Sequence, residues 1–130
     1  MKKKWVIKQI DDDKVLHFLL KKKIFDHRAD CTFLPLDENV DSIQKHDADI
    51  FLVNFGLADN ESSLSHLSKS ESNRAIIALV NSKKQLNQLS AEINLPYIEK
   101  GKDSISKITD IIESTIFNLY ERERRITMSI

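Results

Sequence analysis

Three consecutive aspartates, Asp11, Asp12 and Asp13, follow the apolar run WVIKQI, and Lys100 follows the short run YIE far along the chain. Between them, Asn54 ends the run DIFLV, and AIIALV closes on Val80, followed by Asn81 and Ser82. Carboxylates hold hard divalent cations, and an ammonium group neutralises phosphate oxygens. An acidic cluster meeting a lysine is therefore the chemistry of a metal and a phosphoryl group. Asn54 is the odd member, a neutral amide at the point where an apolar run ends. Each residue also has a plainer role. An asparagine after a strand bonds its own backbone in many turns, and an aspartate before a helix caps free amides.

These side chains can meet only if the chain brings the ends of its apolar runs to one edge. Short apolar runs alternate with longer segments whose apolar residues recur every three or four positions, the pattern of strands alternating with helices. Trp5 to Ile10 reads as a first strand, with Leu16, Leu19, Leu20 and Ile24 on one face of a first helix. Lys21, Lys22 and Lys23 suit the negative end of that helix. CTFLPL is a second strand stopped at Pro35, followed by a helix around Val40 to Lys45, and Asp49 to Val53 is a third strand. Leu64 and Leu67 anchor a third helix in a serine-rich segment, Ala75 to Val80 is a fourth strand, and Leu86, Leu89 and Ile93 mark a fourth helix. YIEK is a fifth strand, and Ile105, Ile108, Ile112, Ile116 and Leu119 mark a final helix. From Ser104 it continues to about Arg125, roughly 33 Å at the rise of an α-helix. Runs as apolar as IFLV and AIIALV suit strands covered on both faces, hence a parallel α/β sheet with helices on either side. Ligands of such sheets gather beyond the carboxyl ends of the strands, where all the residues above fall. Lys8 and Gln9 sit awkwardly in a strand buried on both faces, and nothing in the sequence accounts for them.

A chain of 130 residues, 41% of them hydrophobic, suits one core. Twenty basic residues balance twenty acidic ones, so no overall charge recommends a nucleic acid or an anionic membrane. The single cysteine, Cys31, excludes an internal disulfide and a cysteine-built zinc site. His17, His27, His46 and His66 form no pair at metal-ligand spacing. With only Gly56 and Gly101, the chain lacks a glycine-rich phosphate loop. The start MKKKWVIKQIDDD is broken by Lys8 and Gln9 and is not an export signal, and no apolar window reaches the ~20 residues of a membrane span. A soluble cytoplasmic protein is expected.

VIKQIDDDKVLHFLL, DIFLVNFGLA, AIIALVNS and YIEKG, in this order and spacing, resemble the receiver domains of two-component response regulators over nearly the whole chain. The resemblance implies a flavodoxin-like, five-stranded parallel sheet of order 2-1-3-4-5 with helices on both faces. It also implies a receiver-like domain over residues 1–120 and a C-terminal helical extension over 121–130. In that family an acidic pair after the first strand binds magnesium, and an aspartate ending the third strand takes a phosphoryl group from a histidine kinase. A hydroxyl ends the fourth strand and a lysine the fifth. Carried over, the acidic pair falls on Asp11 and Asp12, the acceptor position on Asn54, the hydroxyl position on Val80, the switch aromatic on Tyr97 and the lysine on Lys100. Asn54 and Val80 both depart from the family, as do Ala58 and Gly101 where prolines are common. Asn81 or Ser82 is a candidate to take the place of the missing hydroxyl through a shift of one or two residues.

The chain thus resembles a pseudo-receiver that has lost its phosphoacceptor and, not being an enzyme, acts in phosphorelay signalling through protein contacts. Its partner would be a histidine kinase, an output domain or another signalling protein, and a homodimer through the fourth helix, fifth strand and fifth helix is implied. Without the acceptor charge, no cofactor is expected beyond a weak magnesium site at Asp11 and Asp12. Two alternatives remain open: a receiver phosphorylated on another carboxylate such as Asp59 or Asp13, and a small magnesium-dependent phosphoryl-transfer enzyme. Ile116, Leu119, Tyr120 and Ile126 are expected to expose apolar surface on the last helix, for an output module or a second copy to cover.

Overall fold

The computed structural model describes residues 4–39, 47–54, 75–82 and 95–128, with side chains to residue 125. Strands β1 (Trp5–Ile10), β2 (Cys31–Phe33), β3 (Ile50–Asn54), β4 (Ala75–Val80) and β5 (Tyr97–Glu99) form one parallel sheet in the order β2-β1-β3-β4-β5. Helix α1 (Lys14–Lys23) leads into a 3-10 turn (Phe25–His27), and α2 (Ile105–Met128) ends the described chain. The helices expected around 40–45, at Leu64 and Leu67, and at Leu86, Leu89 and Ile93 fall outside the described residues. No helix among the described residues is long and apolar enough to cross a membrane.

Side chains alternate across the strands. Trp5, Ile7, Ile50, Leu52, Ile77, Leu79 and Ile98 point to one face, where they pack with Leu20 and Ile24 from the α1 segment and Ile108, Ile112, Ile116 and Leu119 from α2. Ile10, Phe51 and Val53 point to the other face and cluster with Ala48. Both described helices therefore cover the same face. The register pairs Ile10 with Val53 and Val80 with Glu99, which brings the ends of β1, β3, β4 and β5 to one edge.

Some local expectations change. On α1, Leu16 and Leu20 turn inward, but Leu19 is 39% exposed and lies outside the core cluster. β2 stops at Phe33, short of Pro35, which has no N–H for a ladder; only an isolated bridge, Ile10 to Asp37, continues the pairing. Lys100 lies in the turn after β5. On α2, Ile116 and Leu119 do not expose apolar surface: both sit in the chain's own core, and the outward aromatics are Phe117 and Tyr120. The side chain of Ile126 lies outside the described set. α2 starts where Ser104 Oγ accepts the Lys107 N–H at 3.1 Å, and it runs unbroken past residue 120.

Lys8, unexplained by the sequence, is 8% exposed and reaches Asp47 at 2.8 Å and Asp37 at 3.2 Å. Burial alone would depress its ammonium, but the bonds to Asp47 and Asp37 outweigh that and raise it. The charge ties β1 to the residue that bridges Ile10 and to the approach to β3.

Ile112 is fully buried in the cluster that docks α2 onto the sheet. Ile112→Ala should lower the unfolding free energy by about 2–5 kcal/mol, measured by urea denaturation. Phe117→Ala, on the outer surface, should change it by less than about 0.5 kcal/mol.

Candidate functional site

Asp11 is the first residue beyond β1, and its own N–H donates to the Asp37 carbonyl at 2.9 Å. Gln9 lies two residues earlier, so the strand directs both side chains to the same face. The Asp11 carboxylate is fully buried. Its Oδ1 accepts the Asp12 N–H at 2.8 Å, the Asn54 Nδ2 at 2.8 Å and the Lys100 Nζ at 3.1 Å. Its Oδ2 accepts the Gln9 Nε2 at 2.8 Å and Lys100 Nζ at 2.9 Å. A carboxylate offers about four lone-pair sites. Five donor contacts from four groups leave none of them unused.

The orientation of Asn54 follows from this chemistry. An ionised carboxylate accepts only, so the amide nitrogen must face Asp11. A carboxylate at position 54 would instead place two anions at hydrogen-bond distance, an arrangement that needs a shared proton or further positive charge between them. The amide removes that need. The Asn54 amide joins the Gln9 amide, the Asp12 N–H and the Lys100 ammonium in satisfying Asp11.

Lys100 reaches its place because β5 ends one residue earlier and its N–H donates to the Val80 carbonyl at 2.8 Å. Its ammonium also lies 3.3 Å from Asp13 Oδ2. Asp13 Oδ1 caps α1 by accepting the Leu16 N–H at 2.9 Å. Asp13 is therefore a helix cap, as its position after the acidic pair suggests, and a partner of the lysine besides. Burial would raise the Asp11 carboxyl, but the bonds from Lys100, Asn54 and Gln9 and the charge of Lys100 reverse this and hold it below the usual carboxylate range.

The remaining predicted residues stand further out. Asp12 joins the cluster through its backbone, and the residue is exposed. Val80 is buried and contributes its carbonyl to positioning Lys100. Asn81 is exposed and Ser82 half-buried just beyond it. Tyr97 is half-buried at the start of β5, paired with Ala78 and three residues before Lys100, which separates its backbone from the lysine by about 10 Å along a strand. His17 stacks on Phe33 and lies 3.2 Å from the Leu34 carbonyl, a structural role. Asp59, His46 and His66 fall outside the described residues.

Gln9 is the participant that sequence reasoning missed. The available signal was its parity with Asp11, a polar side chain on the same face of an otherwise apolar strand. Its Oε1 has no hydrogen-bond partner among the described residues, a cost of about 1–3 kcal/mol that the bond to Asp11 helps offset.

A divalent cation fits this donor set poorly. Among the described residues no group of three or more His, Cys, Asp or Glu is placed to hold a metal ion, and a cation on Asp11 would have to displace an amide or the ammonium. Arranged in this way, the cluster can fix a buried charge and tie four strand ends together. Both oxygens of Asp11 are already engaged by donors.

Removing Lys100 strands the Asp11 charge. Lys100→Met should cost about 3–5 kcal/mol at neutral pH, measured by denaturant unfolding. Because the folded carboxyl lies below its unfolded value of 3.8, the wild-type stabilisation is present above that value and lost as pH falls through the lower folded value. In the variant, burial favours protonation. The stability gap between wild type and variant should therefore narrow steadily on acidification towards pH ~4; a gap independent of pH would contradict the pairing.

No protein-family model matches the chain, and no curated protein matches it.

Proposed function

We propose that this chain is a receiver-like signalling domain that works without phosphorylation, acting in a two-component pathway through protein–protein contacts. The single observation that carries the proposal is the Asn54 Nδ2 to Asp11 Oδ1 bond at 2.8 Å, made in company with Lys100. The sheet order, the acidic residue after β1, the asparagine ending β3 and the lysine after β5 support the receiver reading. In the full reading the fold is flavodoxin-like with helices on both faces, and the protein is cytoplasmic.

In a phosphorylatable receiver, the charge between two carboxylates is supplied from solution as a cation, and chemistry follows. Here the chain supplies its own positive charge and its own hydrogen-bond donor. In this reading the Asp11 charge is neutralised permanently, with no metal cofactor and no enzymatic turnover. Any conformational bias must then come from a binding partner with unequal affinity for two states. A histidine kinase, an output domain or another signalling protein is the class of partner this implies. Asp13 makes a poor substitute acceptor, since one of its oxygens caps α1 and the other faces Lys100.

Incubation of the wild-type chain with magnesium and acetyl phosphate, followed by intact mass measurement, should give no phosphoryl adduct. A stable adduct would overturn the proposal, and its loss in Asp13→Asn would identify that carboxylate as the acceptor. Asn54→Asp should create a cation site, seen as an increase in Tm on adding magnesium that the wild type does not show.

A further inference from the structure

The apolar core does not explain the side chain of Gln9. β1 directs Trp5 and Ile7 into the cluster that α1 and α2 cover, and Gln9, two residues beyond Ile7, points to that same face. Its register partner on β3 is Leu52, itself fully buried in the cluster. Gln9 is wholly removed from water there. Its Nε2 donates to Asp11 Oδ2 at 2.8 Å, while its Oε1 meets no donor among the described residues. A buried amide oxygen left in this way works against folding, and an apolar side chain would avoid the loss. What the amide contributes is therefore its nitrogen, and that nitrogen is spent on Asp11.

The oxygen it holds is the one that Asn54 leaves alone. Asn54 Nδ2 and the Asp12 N–H both donate to Oδ1, and Lys100 Nζ reaches Oδ1 at 3.1 Å and Oδ2 at 2.9 Å. A carboxylate at position 54 would free one lone pair on Oδ1, but Oδ2 would stay bound to Gln9 and Lys100 as before. A hard divalent cation such as magnesium takes oxygen ligands in a strict geometry, so Asp11 would have to turn or shed a donor to serve it well. Gln9 opposes both changes. Its bond fixes the orientation of the carboxylate, and its N–H draws on the negative charge that would attract the cation. Closed off from solvent, it acts on a cation only through Asp11.

We propose that Gln9 is a positioning residue: by holding Asp11 Oδ2 it reserves the carboxylate for the Lys100 ammonium and keeps a divalent cation off it, whichever side chain stands at position 54. This rests on the reading of the pocket as neutralised from within, and it assigns the exclusion of cations to two amides instead of one.

Calorimetric titration of the full chain with magnesium chloride tests it, in wild type, Gln9→Met, Asn54→Asp and the double variant. Methionine keeps the length of glutamine, suits apolar surroundings, and removes the donor and the unpartnered oxygen together. Adding Gln9→Met to Asn54→Asp should lower the dissociation constant for magnesium by roughly tenfold. The rise in Tm on adding magnesium should likewise be larger in the double variant than in Asn54→Asp, whereas a merely structural Gln9 would move Tm equally with and without the ion. A double variant that binds magnesium no more tightly than Asn54→Asp would overturn the proposal. Should the double variant fail to fold, Gln9→Met alone decides: magnesium should raise its Tm while leaving that of wild type unchanged, and a Gln9→Met protein as indifferent to magnesium as wild type would overturn the proposal. Failure here leaves the phosphorylation-independent reading standing, since that reading falls only to a phosphoryl adduct on the wild-type chain.

Discussion

A buried carboxylate governs the carboxyl edge of this sheet. Asp11 is removed from water altogether, and an isolated anion there would be costly enough to shift its own protonation. The chain answers with an ammonium from beyond β5, an amide from the end of β3, an amide from within β1 and the next backbone N–H. The lysine is held in turn by the Val80 carbonyl and by Asp13, which also begins α1. One charge thus fixes the spatial relation of β1, β3, β4, β5 and the first turn of α1. Any account of function has to respect that arrangement.

Its chemical consequence is closure. A carboxylate that binds a cation needs spare lone pairs, and those of Asp11 are taken by internal donors. Replacing a carboxylate by an amide at position 54 does more than delete a nucleophile: it converts an acceptor into a donor and so removes the demand for a shared proton or further positive charge. The proposed signalling role then rests on surfaces rather than on the pocket.

The sheet was legible because its strands are short apolar runs of nearly uniform character, as in IFLV and AIIALV, the character that strands of a parallel sheet have. Asp11, Asn54 and Lys100 were legible because each directly follows or ends such a run, and parallel strands bring those ends together. Other features depend on contacts between distant parts of the chain and could not be read from spacing. Lys8 needs Asp37 and Asp47 before its burial makes sense, and Gln9 needs Asp11 in its ionised form. Periodicity also misjudged individual helix positions. Leu19 shares the spacing of core residues yet remains exposed, while Ile116 and Leu119 are covered by the chain itself, because the sheet decides how wide a stripe of each helix it buries.

The central claim, that Asp11 is neutralised internally by Lys100 and Asn54, is tested most directly by a carboxyl-carbon NMR titration of Asp11 with and without magnesium. The account predicts a midpoint below the usual carboxylate range, unchanged when magnesium is added, with the Asn54 side-chain amide shift following the Asp11 titration. An ordinary midpoint, or a magnesium-induced change at Asp11 accompanied by release of the Asn54 amide, would contradict it.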